Sequence, residues 1–278
     1  MFKITEPTVV SFSGGRTSAY MLWRVLQENN GLPEDCLVMF ANTGKEELAT
    51  LDFVNECAIR WNVPIIWLEY RNSESQFEVV NYETASRNGE PFEALIKKKG
   101  YLPNPMARFC TVDLKILTFE RYVKSLGWKE FDNFIGIRAD EPRRVAKIRA
   151  NPSDGRKGVT RHMPLAIDNI TKYDVMEFWN KQDFDLKLPN INGVTYHGNC
   201  DLCFLKGPTQ ILSLIVEKPE RAIWWMNMEK SITNPNIKNG DVFRMDRPNY
   251  KSMLDYSQNQ QDMFGGHGIE SIDCFCGD

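Results

Sequence analysis

The feature that most constrains the fold is a short β-branched run that stops at a pair of glycines. Residues 8–12 read Thr-Val-Val-Ser-Phe, and Gly14 and Gly15 follow after one serine. Apolar residues then recur at near-helical spacing over residues 17–28, until Asn, Gly and Pro end the pattern. This order predicts a buried strand, a tight turn and a helix that begins at once.

The same unit recurs further along the chain. Short apolar runs occupy residues 36–41 and 64–70, and residues 46–61 between them have a helical period. Strands that alternate with helices predict a mostly parallel sheet with helices on both faces, which is a doubly wound α/β fold. Ligands of such sheets bind beyond the carboxyl ends of the strands, where we expect Ser13 and Asn42 to lie.

The pattern weakens after residue 71 and returns in pieces. Residues 72–106 predict an irregular flap over the site, and residues 151–161 predict a basic loop. Further elements are predicted as helices at residues 91–99, 111–126, 171–181, 209–216 and 219–230, and as a strand at residues 133–137. We therefore predict an α/β domain over residues 1–185 and a helical, cysteine-containing region over residues 186–278 that shares the same site.

Composition narrows the classes of protein to consider. The 278 residues are 42% hydrophobic and 26% charged with a net charge of −3. These values exclude disorder and a generally basic nucleic-acid surface, although a local basic groove stays open. No apolar run approaches the roughly 20 residues of a membrane span, and residues 1–7 lack the features of a secretory signal. We expect a cytoplasmic protein that does not enter a membrane.

The loop after the first strand has the chemistry of a phosphate site. Glycines let a ligand approach the backbone, and the following helix supplies free N–H groups and the positive end of its dipole. Hydroxyl donors and one cation surround them, at Ser11, Ser13, Arg16, Thr17 and Ser18. The alternative is a tight strand-to-helix turn with a serine or threonine cap. The number of hydroxyls favours phosphate binding.

Seven cysteines in a chain expected in a reducing compartment do not predict a disulfide framework. Cys200 and Cys203 form a C-x-x-C pair that can hold zinc or an iron–sulfur cluster, with Cys110 and one of Cys274 or Cys276 as further ligands. Spacing alone does not separate the two metals. A redox dithiol at the C-x-x-C pair and plain structural thiols are the alternatives.

The loop from Ser13 to Ser18 resembles the S-G-G-x-D-S signature of the PP-loop, or adenine nucleotide α-hydrolase, superfamily, with Thr17 in place of the aspartate. Four further segments resemble motifs of the phosphoadenosine-phosphosulfate reductase family within it. They are Phe40-Ala41-Asn42-Thr43-Gly44, Arg108-Phe109-Cys110-Thr111 with Lys115, Gly136-Ile137-Arg138 with Glu141 and Arg144, and Pro164-Leu165 with Thr171 and Asp174. The chain is identified as a member of this family.

The resemblance implies a PP-loop domain that binds ATP or phosphoadenosine phosphosulfate, with magnesium as a further expectation. The residues implied in nucleotide binding are Ser11, Ser13, Gly14, Gly15, Arg16, Thr17, Ser18, Asn42, Thr43, Gly44, Gly136 and Arg138. Arg138, Arg144 and Lys115 can clamp a phosphate or sulfate group, or they can lie in a solvated, salt-bridged segment.

The resemblance also implies roles for the cysteines. Some relatives hold a 4Fe-4S cluster beside the nucleotide, which implies Cys110, Cys200, Cys203 and Cys276 as ligands here. Relatives without a cluster use a cysteine of the C-terminal tail as a nucleophile toward the sulfonate sulfur, which implies Cys276 or Cys274. The family's usual C-terminal ending is matched here only by Cys276 and the glycine after it.

Three functions follow from these residues. The first is a reductase-like enzyme that acts on a sulfonucleotide with a thiol donor such as thioredoxin. The second is an ATP-dependent sulfurtransferase that adenylates and then thiolates a nucleic acid. The third is a non-catalytic nucleotide-binding protein, which the missing acids at Thr17 and Asn42 favour. A homo-oligomer is compatible with each.

Overall fold

The computed structural model describes residues 1–232 and 240–259. Its strands are β1 (Thr8–Ser11), β2 (Cys36–Asn42), β3 (Ile65–Glu69), β4 (Glu78–Val80), β5 (Phe131–Ile135), β6 (Val159–His162), β7 (Asn190–Ile191) and β8 (Val194–Thr195). The first six form one sheet in the order β4-β3-β2-β1-β5-β6, parallel except for the β3–β4 pair. The other two form a small antiparallel hairpin.

The helices separate the strands in chain order. They are α1 (Arg16–Asn29), α2 (Leu48–Arg60), α3 (Glu90–Lys99), α4 (Phe109–Thr111), α5 (Leu117–Ser125), α6 (Pro142–Ala150), α7 (Pro164–Ile167), α8 (Lys172–Trp179), α9 (Pro208–Glu217), α10 (Arg221–Ser231) and α11 (Tyr250–Asn259). A π-helical turn, Val112–Ile116, joins α4 to α5. Within residues 1–232 and 240–259, no helix is both long and apolar enough to span a membrane.

Both faces of the sheet are buried, as its apolar strands require. Val10 of β1 belongs to a core that also contains Val175 and Trp179 of α8. Val9, the preceding residue, packs on the opposite face with Phe119 and Val123 of α5. Successive strand side chains point to opposite faces, so this alternation places helices on both sides of the sheet.

The C-terminal helices form a second apolar core around Trp225, which is fully buried. Residues of α3, α9, α10 and α11 contribute to it, and so do Leu202 and Cys203 of the C-x-x-C turn. The helix α3 lies between β4 and β5 in chain order, but it packs with the C-terminal region. Because Leu202 and Cys203 are packed in this core, the position of the cysteine turn is fixed.

The predicted α/β fold, with a mostly parallel sheet and a helical C-terminal region, is confirmed. The strand–helix alternation of residues 8–70 is found as predicted. The division into domains at residue 185 stays a prediction.

Four elements differ from the sequence prediction. Residues 151–161, predicted as a basic loop, contain the start of β6. The polar segment after β5 is the helix α6, whose buried apolar residues are only Val145 and Ile148. The flap contains the edge strand β4, which is exposed and short. The segment predicted as an aperiodic tail contains α11, where Tyr250 and Met253 are buried. In each case, too few apolar residues were present to produce a periodic pattern.

Candidate active site

The loop between β1 and α1 lies at the carboxyl edge of the sheet. Gly15 is the N-cap of α1, and no side chain caps the helix there, so its first N–H groups remain available to a ligand. Gly14 has a φ of +80°, and a Cβ on it would lie 2.6 Å from Thr50 Cγ2. The loop therefore requires glycine for its backbone conformation and for its close contact with α2.

Two serine hydroxyls organise this loop. The Ser13 N–H donates to Ser18 Oγ at 3.1 Å, and the two hydroxyl oxygens lie 3.0 Å apart. The end of β5 packs directly on this turn, because a Cβ on Gly136 would lie 3.2 Å from Ser18 Cα. Gly136 thus acts through close packing, which agrees with its predicted place at the site.

A cleft of about 470 Å³ opens beside the loop. It runs over the face of β1, β5 and β6 and is covered by the π-helical turn, α5 and α6. Its charged lining residues are Arg108, Lys115, Glu120, Arg144, Lys147, Asp154, Arg156 and Arg161. Cations outnumber acids in this lining, which favours an anionic ligand.

A second, much smaller pocket of about 20 Å³ lies on the other side of the loop. Gly14, Gly15 and Asn199 contribute to its wall. Ser13 and Lys115 line both the cleft and this pocket. The two cavities therefore lie on either side of Ser13 and Lys115, and the smaller one is also lined by Asn199, the residue before Cys200.

Lys115 lies on the π-helical turn, a distortion that is frequent at functional sites. Its Nζ is 4.0 Å from Glu46 Oε1, and the Glu46 side chain is almost fully buried. The ammonium group is thus held between the two pockets, which agrees with its predicted role toward an anion.

Arg138 lies beside the loop, as predicted. Its Nη1 donates to Thr17 Oγ1 at 2.9 Å, and its Nε donates to Asp140 Oδ1 at 3.0 Å. Arg144 is buried, lines the cleft and forms an ion pair with Glu141. At Thr17, where related loops have an aspartate, the hydroxyl is therefore paired with a guanidinium.

Arg16 does not point to the phosphate position. Its side chain, 8% exposed, forms a bidentate ion pair with Asp185 at 2.7 Å and donates to Thr195 Oγ1 at 3.2 Å. It also donates to the carbonyl oxygens of Leu186 and Leu188. The prediction that this guanidinium is a phosphate-binding cation is not supported by these contacts, because its donors hold the 185–195 segment against the loop.

The segment after β2 also has an internal role. Asn42 is fully buried, and its Nδ2 donates to Glu69 Oε1 at 2.5 Å and to the Ser86 carbonyl at 2.8 Å. Thr43 bonds to Glu46, and the Gly44 N–H donates to Asn42 Oδ1 at 3.1 Å. In the part of the chain that the structure describes, none of Asn42, Thr43 and Gly44 lines either pocket. They shape the turn, and their role in nucleotide binding stays a prediction.

The C-x-x-C turn lies against this segment. Thr43 Oγ1 is 3.6 Å from Cys200 Sγ, and burial with the nearby Glu46 carboxylate raises the pKa of the Cys200 thiol far above its usual value. Lys45 Nζ and Asp201 Oδ2 form an ion pair at 2.9 Å, and the Trp225 indole N–H donates to Asp201 Oδ1 at 2.8 Å. Cys200 is therefore a neutral thiol. The turn that carries it is fixed by the contacts of Asp201 with Lys45 and Trp225.

The predicted metal site does not form within the described residues. Over residues 1–232 and 240–259, no group of three or more His, Cys, Asp or Glu side chains is arranged to hold a metal ion. The five described cysteines are free thiols; Cys203 packs in the apolar core and Cys110 packs against it. The remaining predicted ligand, Cys276, lies outside the described residues, as does Cys274. A metal site at these cysteines therefore stays a prediction, and so does a magnesium site.

Some cleft residues were missed by the sequence analysis. They are Arg108, Glu120, Asn133, Lys147, Ser153, Asp154, Arg156 and Arg161. Glu120 is buried, and this burial raises its pKa, while Arg156 Nε lies 2.9 Å from its Oε1. The basic character of residues 151–161 was the one signal that pointed to this region, but nothing in the sequence places that loop beside β1.

A glycine turn at the carboxyl edge of a parallel sheet, an uncapped helix N-terminus and a cation-rich cleft are features with which α/β proteins bind anionic ligands. Residues 7–187 match the family model of the phosphoadenosine phosphosulfate reductase domain. The chain belongs to this family.

Individual proteins are also similar to this chain. An uncharacterized nin region protein of Escherichia phage lambda is 31% identical over 241 residues, which are 84% of this chain and 76% of that protein. A phosphoadenylyl-sulfate reductase structure from Candida auris matches 64% of this chain and 73% of its own, with 16% identity and a TM-score of 0.40. A U34-tRNA thiolase structure from Methanococcus maripaludis matches 98% and 80%, with 14% identity and a TM-score of 0.41.

Proposed function

We propose that this chain is a sulfonucleotide reductase-like enzyme. In this proposal, the cleft holds an adenine nucleotide and the loop from Ser13 to Ser18 holds its phosphate. The observation that carries the proposal is that Ser13 and Lys115 line both the cleft and the small pocket beside the cysteine turn. In this proposal the 5′ end of the nucleotide lies at these two residues.

The binding groups suit an anionic substrate. The α1 N-terminus supplies N–H donors and a positive dipole end, and Lys115 supplies a cation between the pockets. Arg144 adds a guanidinium in the cleft wall. The Arg138 guanidinium, which donates to Thr17, adds another positive charge beside the loop. These groups neutralise the charge on the nucleotide that leaves.

The proposed chemistry is a thiol displacement at sulfur. A thiolate attacks the sulfonate sulfur, the bond from that sulfur to the bridging phosphate oxygen breaks, and the nucleotide leaves as its 5′-phosphate. A second thiol then attacks the enzyme's sulfur atom, a disulfide forms, and sulfite leaves with the electron pair. A dithiol donor such as thioredoxin supplies the two electrons. Cys276 or Cys274 as the first nucleophile stays a prediction, because both lie outside the described residues.

The test measures two products in one preparation of the full chain. Sulfite released from adenosine phosphosulfate and from phosphoadenosine phosphosulfate with a dithiol is expected, without pyrophosphate release from ATP. Pyrophosphate without sulfite would overturn the proposal in favour of the nucleic-acid sulfurtransferase. Nucleotide binding with neither product would favour a non-catalytic protein.

A matched pair of lysines tests the path between the pockets. Lys115→Met is expected to weaken sulfonucleotide binding roughly 10-fold, because one charge-assisted contact is lost. Lys124→Met is the control, since this lysine lies on the same run of helix with its side chain 61% exposed. Equal affinities of the two variants would remove Lys115 from the site.

A further inference from the structure

The cleft has one end at the Ser13–Ser18 loop and another farther along the sheet, around Asn133, which we call the deep end. The two ends have different linings. Ser11 of β1 and Asn133 of β5 line the deep end from neighbouring strands, and Ser11 Oγ lies 2.7 Å from Asn133 Oδ1. The walls around this pair include Phe119, Phe131 and Val159, all mostly buried. One oriented amide between apolar walls suits a flat, uncharged heterocycle better than it suits a phosphate.

The distance from the loop agrees with a nucleotide that spans both ends. Ser11 precedes Ser13 by two residues, which corresponds to about 7 Å along a strand. A nucleotide anchored by its phosphate on the loop therefore extends its base along the sheet toward Asn133. This step rests on the proposed function, because the base reaches Asn133 only if the phosphate binds at the loop.

The charged groups of the deep end neutralise one another. Arg156 Nε lies 2.9 Å from Glu120 Oε1, and Arg156 Nη1 lies 2.8 Å from Asp154 Oδ2. Arg161 Nη2 lies 3.4 Å from Asp154 Oδ1. Since these pairs bring both signs together, the deep end does not present a strong net charge that would draw in a second phosphate.

We infer that Asn133 reads an adenine base in the deep end of the cleft and that Ser11 orients its amide. The Ser11 hydroxyl donates to Oδ1, which directs Nδ2 away from Ser11 and leaves Oδ1 a second lone pair. Among the described residues, Nδ2 has no protein acceptor. The amide can then accept from the adenine amino group and donate to the adjacent ring nitrogen.

This chemistry predicts a specific discrimination. Guanine and hypoxanthine carry a carbonyl oxygen where adenine carries its amino group, so that oxygen would face the Asn133 Oδ1 lone pair. A mispaired buried amide costs binding, and the expected preference for ATP over ITP is roughly 10- to 100-fold. If the Ser11–Asn133 bond only helps to hold β1 and β5 together, no preference for ATP over ITP is expected.

The experiment measures the affinities of ATP, ITP and GTP by calorimetric titration of the full chain. The wild-type chain is expected to prefer ATP. In Asn133→Ala, the affinity for ATP should fall until it is within about threefold of the affinity for ITP, while ITP binding is nearly unchanged. Ser11→Ala, which keeps the amide but frees its orientation, is expected to reduce the preference partly. The control is Asp132→Asn, whose side chain pairs with His162 instead of lining the cleft.

The outcomes separate this inference from the function beneath it. A wild-type chain that binds ATP and ITP equally overturns the base reading and leaves the proposed function standing. An Asn133→Ala chain that retains the ATP preference, or that weakens ATP and ITP binding equally, overturns the base reading as well. A folded wild-type chain that binds neither ATP nor a sulfonucleotide overturns both. Should Asn133→Ala fail to fold, Ser11→Ala decides, because an unchanged preference contradicts the role given to Ser11.

Discussion

Two turns meet at the same edge of the sheet and differ in what they offer a ligand. The loop from Ser13 to Ser18 is bonded to Asp185 and Arg138 through Arg16 and Thr17, but it leaves the N–H groups of α1 without a side-chain cap. The turn from Cys200 to Cys203 is held by partners far away in the chain, including Lys45, Trp225 and Tyr250. The first turn is prepared to receive a ligand, whereas the second is fixed before any ligand arrives.

The two turns therefore differ in function: the loop is suited to binding a ligand, whereas the cysteine turn is not reactive. The loop offers donors to an anion, and its geometry is set by glycine. The cysteine turn holds Cys200 as a half-buried thiol of raised pKa, which is unreactive as it stands. Changes at the loop should therefore alter affinity for a nucleotide, and changes around the cysteine turn should alter stability and thiol exposure.

The largest expected effect is on the cysteine turn. Asp201→Ala removes the partner of Lys45, whose side chain is 9% exposed, and leaves that charge buried without compensation. The free energy of unfolding should fall by about 3 kcal/mol, and thiol reagents should label Cys200 and Cys203 faster. Urea denaturation and labelling kinetics measure the two effects.

The control for this change is Asp183→Ala. Asp183 pairs with Arg60 at 2.7 Å, but its side chain is 80% exposed, so the loss should stay below about 1 kcal/mol. Equal destabilisation by the two variants would contradict the view that the turn is held by a buried ion pair.

Gly14→Val tests the loop itself. A side chain there meets Thr50 and is strained at a φ of +80°, so nucleotide affinity should fall by about 100-fold or more. Titration with ATP measures the effect. Gly100→Val provides the control, because Gly100 has a φ of +74° and nothing within 4 Å of its added Cβ. The control should share the backbone strain and keep its nucleotide affinity.

Arg16→Met tests whether this residue binds phosphate or stabilises the fold. Because its guanidinium holds Asp185 and the backbone of Leu186 and Leu188, the free energy of unfolding should fall by about 2 kcal/mol. Nucleotide affinity should change by less than about threefold. A large loss of affinity with unchanged stability would restore Arg16 as a phosphate ligand. Arg60→Met, at an exposed ion pair, is the stability control.

The smallest expected effect concerns pH and the C-terminal core. Burial raises the pKa of Glu229 to about 7, although the Tyr250 N–H donates to its carboxylate at 3.0 Å. Its pKa is higher in the fold than in the unfolded chain, so its contribution to stability is full below pH 4.5 and is lost as pH rises through 7. After allowance for solvent screening, the loss is about 1.5 kcal/mol.

The measurement compares the wild-type chain with Glu229→Gln at pH 5 and at pH 8. The wild-type chain should lose about 1.5 kcal/mol more stability over this interval than the variant does. Identical pH profiles would show that the carboxyl group does not titrate differently in the folded and unfolded states.

The same contrast explains how much the sequence could predict. The first loop was predicted because its determinants are local: an apolar run, two glycines and a helix start within a few residues. The helix α6 was missed because its exposed face is basic and only Val145 and Ile148 are buried in apolar contacts. The contacts of Arg16 were not predicted, because its partner Asp185 is 169 residues away and no local pattern encodes that distance.

The cleft shows the same limit. Asn133, Arg156 and Arg161 belong to one wall only because β1, β5 and β6 are neighbours in the sheet. Strand order arises from packing among the whole set of helices and strands, and the chain order of residues does not state it. The sequence thus located the phosphate loop but not the surface along which a nucleotide base would lie.

The contacts of Arg16 carry a practical consequence for dissecting the molecule. A fragment that stopped just before Asp185 would keep the six-stranded sheet and the glycine loop. It would nevertheless lose every acceptor that Arg16 uses between Asp185 and Thr195, and would expose the apolar surface that Leu186 and Leu188 cover in the core. Such a fragment should be insoluble or aggregate, so the shortest useful piece of this chain extends at least through the β7–β8 hairpin.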